Sequence, residues 1–164
     1  MERGLLILFI RIIFSAGCIS TAQEWNQRGE THHTLGRYEE AVAAFDQAIA
    51  TDSDQSEAWK NRGLSLALLG GDDSEESFAM AISLNPMDNE VYYYQALSRN
   101  ATGNRPGALI RLDKAIAFSP QNRDQAITLF QALILQGDLL TLENRFNEAN
   151  VSYQRVHEIM MSTI

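Results

Sequence analysis

The chain has 164 residues, a formal net charge of -8 and a sequence pI near 4.8. Its 45% hydrophobic and 21% charged residues describe a globular chain, and the acidic balance without clustered Lys and Arg excludes a nucleic-acid partner. The single cysteine, Cys18, excludes an internal disulfide framework and a cysteine-built zinc site.

Residues 1–22, MERGLLILFIRIIFSAGCISTA, differ in kind from the rest. The apolar run Leu5 to Ile19 is shorter than the roughly 20 residues a spanning helix needs, and Arg11 interrupts it. This pattern predicts a signal peptide or a membrane or lipid anchor. Ser20-Thr21-Ala22 offers small residues for cleavage after Ala22. Ser15-Ala16-Gly17-Cys18 resembles a lipoprotein signal, which makes Cys18 a lipidation candidate. An uncleaved anchor, or an artefact of the chosen start, stays open beside these. The expected location is therefore exported or membrane-associated, on the extracytoplasmic face, with the cytoplasm as the alternative. Under export, the sequons Asn100-Ala101-Thr102 and Asn150-Val151-Ser152 make Asn100 and Asn150 glycosylation candidates.

From Gln23 onward the chain reads as helix pairs. Trp25 precedes Gly29 by four residues, and Trp59 and Gly63, Tyr92 and Ala96, and Leu133 and Gly137 repeat that spacing. A large residue one helical turn before a small one marks a face where another helix crosses closely. Turn signals then follow at Leu35-Gly36, Leu69-Gly70-Gly71, Thr102-Gly103-Asn104 and Glu143-Asn144. Second helices are predicted to begin near Tyr38, Asp73, Arg105 and Phe146. Pro106 fits a first turn, and Pro86 and Pro120 stop the second and third pairs.

The second helices repeat a motif as well. Phe45, Phe78 and Leu112 each precede an Ala-Ile pair by three residues, at spacings of 33 and 34. A period of that length signals a repeat architecture. The fourth unit starts late, behind the extra residues Arg123 to Leu129, which predicts a first helix longer by about two turns.

Trp, Gly, Ala, an aromatic and a closing Pro at this period resemble the tetratricopeptide repeat (TPR) family. The resemblance implies an all-α, right-handed α-solenoid of four helix-turn-helix pairs behind an N-terminal hydrophobic signal or anchor helix. The TPR domain is then 23–164, with repeats near 22–55, 56–88, 89–122 and 123–164. It also implies a protein that binds a peptide or helix of a partner in its concave groove and needs no cofactor.

Carried onto this sequence, the family's groove positions include Asn26, Glu30, His33, Lys60, Asn61, Leu64, Leu68, Tyr93, Leu97, Ile134 and Asp138. Chaperone-binding relatives clamp a C-terminal carboxylate there, but only Asn61 matches that clamp, and Glu30 and Glu90 repel a carboxylate. An apolar or amphipathic partner carrying basic residues fits better.

Several sharper readings fail on spacing. His32 and His33 diverge by about 100° on a helix and cannot share one metal ion. The run Asp72-Asp73-Glu75-Glu76 lacks the spacing of an EF-hand and reads as an acidic first turn. No nucleophile and base stand at a catalytic spacing, so no enzyme is expected. Tyr92 is expected in the core and Tyr93 at the groove. The last helix carries Val151, Ile159, Met160 and Ile164 with no later segment to cover them, which makes a homo-oligomer possible.

Overall fold

The computed structural model describes residues 21–71 and 73–162, and among them every regular element is an α-helix. The eight helices are α1 (Ala22–Thr34), α2 (Tyr38–Thr51), α3 (Ser56–Leu68), α4 (Ser74–Leu84), α5 (Asn89–Ala101), α6 (Arg105–Ala117), α7 (Arg123–Leu142) and α8 (Phe146–Ser162). They pack as four antiparallel pairs, each stacked on the next, as the repeat period requires. Cys18, Asp72 and Ile164 lie outside the described residues, as does the expected hydrophobic segment.

One chemical device closes every first helix. Gly36, Gly70, Gly103 and Asn144 have φ of 72°, 74°, 80° and 61°. That left-handed turn lets two amides bond back to the helix end. In the first pair Gly36 N–H donates to the His33 carbonyl and Arg37 N–H to the His32 carbonyl, and the other three pairs repeat the arrangement. At the N-terminal ends, Thr21 and Glu24 form a reciprocal capping box, and Asn104 and Asn122 cap α6 and α7 through their side chains.

The helices of a pair cross where the sequence has its small residue. A Cβ on Gly29 would run into the Phe45 ring. One on Gly63 would lie 2.8 Å from Phe78, and one on Gly137 2.5 Å from the Tyr153 ring. The third pair solves the same problem differently, with Ala96 and Leu112 both wholly buried. Glycine faces an aromatic ring and alanine faces leucine, so the summed volume at the crossing is held nearly constant.

The 20 residues of α7 match the expected two-turn extension. This helix is long and apolar enough to span a bilayer by length and composition alone. One side of it buries against the helices around it, with Leu129, Ala132, Leu133, Leu139 and Leu140 in the core, while Ile127, Ile134 and Leu142 stay exposed.

Candidate functional site

The first helices α1, α3, α5 and α7 stand side by side, and hydrogen bonds across them show it directly. Asn61 Nδ2 donates to Glu30 Oε1 at 3.3 Å, joining α3 to α1. His33 Nδ1 lies 2.9 Å from Ser65 Oγ, a second link between the same helices. Further along, Asn89 Nδ2 donates to the Gln125 carbonyl at 3.0 Å and joins α5 to α7. These helices therefore form one continuous face.

The polar half of that face is largely occupied with itself. Glu30 accepts from Asn26 at 2.7 Å as well as from Asn61, so the amides hold its carboxylate in place. Asn26 itself is buried. Burial against Tyr38 and Ser65 lowers the pKa of His33 and favours its neutral ring.

Lys60 differs most from its expected place. It is only 4% exposed, although it holds one of the family's groove positions. Its ammonium is 2.9 Å from Glu57, 3.1 Å from Asp88 and 2.6 Å from Glu90. Burial alone would pull its pKa down, and the Glu57, Asp88 and Glu90 carboxylates outweigh that and push it up. The ammonium consequently joins α3 to the N-terminal end of α5 instead of facing a ligand. Burial, reinforced by Glu90, pushes the neighbouring Tyr94 hydroxyl up to about 12. A polar cavity of about 340 Å³ opens beside this cluster, lined by Glu57, Lys60, Asp88, Glu90, Asn122 and Asp124 among others.

The apolar half is open. Leu68 is 53% exposed and Ile134 36%, while Leu64, Tyr93 and Leu97 are half-buried. Tyr92 is buried, and its hydroxyl donates to the Pro86 carbonyl at 3.3 Å. Tyr93 packs partly against the core formed by α5 to α8, and burial raises its pKa. Asp138 is exposed and accepts from the Tyr153 hydroxyl at 2.8 Å, which ties α7 to α8.

Away from this face the structure places the remaining candidates. Asn100 is half-buried in the last turn of α5. Asn150 is exposed within α8, but the Ser152 hydroxyl of its sequon is buried and donates to Gln136 Oε1 at 2.8 Å. Among the described residues no group of three or more His, Cys, Asp or Glu side chains could hold a metal ion.

Residues 22–55 match the family model of the tetratricopeptide repeat. No curated protein sequence matches the chain. Several solved structures share its fold. MamA superposes with a TM-score of 0.72 at 18% identity, covering 87% of this chain and 80% of that one. PilW, described as a widely conserved type IV pilus biogenesis factor, gives 0.69 at 22% identity, over 85% of this chain and 62% of its own. The first TPR domain of Spaghetti (RPAP3), bound to the HSP90 peptide SRMEEVD, gives 0.57 at 18% identity, over 68% of this chain and 90% of its own.

Proposed function

This chain is a tetratricopeptide repeat protein, and we propose that it is a non-catalytic interaction module binding a peptide or helix of a partner on the face formed by α1, α3, α5 and α7. The observation that carries the reading is the uncovered apolar stretch of that face, Leu64, Leu68, Tyr93, Leu97 and Ile134. A solvated helix face is ordinarily polar, and clustered apolar side chains there gain free energy when a partner covers them.

The charges beside this stretch select the partner. Lys60 is already matched by carboxylates, while Glu57, Asp124 and Asp138 remain exposed. An acidic tail such as the HSP90 peptide bound by the RPAP3 domain would meet like charge here. An apolar or amphipathic segment carrying Lys or Arg meets opposite charge. The test is a peptide array with matched basic and acidic amphipathic sequences. The protein should retain the basic set, and Tyr93→Ala with Leu97→Ala should weaken retention by more than about fivefold, roughly 1 kcal/mol. Helicity should not change. Undiminished retention by that double variant would place the binding surface elsewhere.

Two further parts of the reading rest on sequence. Residues 1–22 would export the domain or tether it to a membrane, by cleavage or through lipid on Cys18. The intact mass of protein from its native host tests this, since full-length protein with unmodified Cys18 would remove both routes. Self-association through the C-terminal edge is the second reading of function. It is favoured by the exposure of Val151 and Met160 on α8, at 56% and 53%. Replacing Met160 and Ile164 with Lys should then shift sedimentation toward monomer.

A further inference from the structure

Beyond partner binding, the three junctions between consecutive pairs are built unequally. At the first, Arg62 of α3 donates to Asp46 of α2 at 2.7 Å and to Ser77 of α4 at 2.6 Å. At the third, Gln136 of α7 donates to Asp113 of α6 at 2.7 Å and accepts from Ser152 of α8. The positions correspond. Arg62 and Gln136 each precede a crossing glycine, Asp46 and Asp113 each follow the bulky residue of a second helix, and Ser77 and Ser152 each precede one. One side chain thus ties the previous second helix to both helices of its own pair.

The second junction breaks this rule. Gln95 holds the bridging position, but Ala79 stands where the acid belongs and Arg111 where the serine belongs. Gln95 donates instead to Glu75 at 2.9 Å, and Arg99 pairs with the same carboxylate at 3.0 Å. Gln95 Oε1 and Arg111 Nε are buried, the first accepting and the second donating no hydrogen bond within the protein. A buried polar atom left in this way forfeits its hydration, and opening the seam to solvent relieves that cost. The seam is also thin, since α4 has only 11 residues and packs less extensively on α5 than α2 does on α3 or α6 on α7. Phe78, Ala81 and Val91 form a small apolar cluster across it, and charge adds to the closure through Lys60 with Asp88 and Glu90 and through the Glu75–Arg99 pair.

We infer that the second junction is the flexure of the array, held closed by a small apolar contact and two ion clusters. Leu64 and Leu68 lie on one side of it and Tyr93 and Leu97 on the other. Bending there changes the width of the apolar stretch, so the consequence for binding rests on the proposed function, whereas the flexure itself does not.

Spin-label pairs in the full chain, with Cys18→Ser removing the native thiol, measure each junction separately. Glu40→Cys with Glu76→Cys spans the first, Glu76→Cys with Lys114→Cys the second, and Lys114→Cys with Gln154→Cys the third. The second distance distribution should be the broadest, and high salt or Arg99→Gln should broaden it alone. Ala79→Asp with Arg111→Ser supplies the missing bridge to Gln95 and should narrow it. Should that pair of changes impair folding, Arg99→Gln and salt still decide the matter. Three equally narrow distributions, or a second one that ignores both salt and Arg99→Gln, would overturn the inference.

Discussion

The middle of the array joins a small apolar cluster of Phe78, Ala81 and Val91 to buried charge, whereas its C-terminal half rests on a larger apolar cluster. In the middle, one buried ammonium answers three carboxylates drawn from α3 and the start of α5. In the C-terminal half, Tyr92, Ala96, Ala108, Leu109, Leu112, Ala132, Leu139 and Leu140 belong to one apolar cluster across α5, α6 and α7. Apolar packing is non-directional and tolerates small shifts. A buried ion cluster is directional and becomes costly when any member is lost. The two halves should therefore fail in different ways.

The largest expected difference comes from Lys60→Met. It leaves Asp88, itself buried, without its cation, and should cost about 3–5 kcal/mol in urea denaturation. A loss below about 1 kcal/mol would mean that the cluster is solvated in solution and the contrast is false. Gly63→Leu comes next, because its side chain must displace the Phe78 ring, and it should cost about 3 kcal/mol or more. Ala96→Gly at the corresponding crossing of the third pair should cost only about 1 kcal/mol, with helix propensity as its main component. Equal midpoints for those two variants would sink the volume argument for the crossings.

Alkaline titration separates the halves without mutation. Lys60 is shifted upward, and Tyr94 rises from 10.0 to about 12. Both proton-bound forms are favoured by folding, so the stability they contribute is fully present below about pH 10 and lost as pH rises toward 12. Denaturant midpoints should fall in that window, and Tyr94→Phe should blunt the fall. The smallest effect belongs to Arg145→Ala, which removes exposed pairs with Glu143 and Glu148 at 3.6 and 2.7 Å. Its midpoint should match that of the unaltered protein.

Most of the fold was legible because it is local. A left-handed residue closing a helix, a small residue at a crossing and a large one a turn away are all visible within a single helix and its turn. The four turn positions and the burial of Tyr92 follow from that. The fate of Lys60 was not legible. Its partners Asp88 and Glu90 lie 28 and 30 residues on, and only stacking of the second pair on the third brings them together. The Arg62 and Gln136 bridges were hidden for the same reason. Neither residue stands out on its own helix, and its role exists only between repeats. The apolar groove positions are readable from register alone, since a leucine at an outward position needs no distant partner to be noticed.

The capping box at Thr21 and Glu24 bears on maturation. If a processing protease cut after Ala22, it would remove the hydroxyl that accepts from the Glu24 amide and the backbone N–H that Glu24 holds in return. It would also place a new ammonium group at the positive end of the α1 dipole. Losing such a cap costs about 1 kcal/mol, and the first repeat would fray before the others. A cut upstream of Thr21, including one that makes Cys18 the first residue, leaves the box intact. The position of the cut would therefore set how firmly the mature array begins, and trypsin sensitivity at Arg28 would report it.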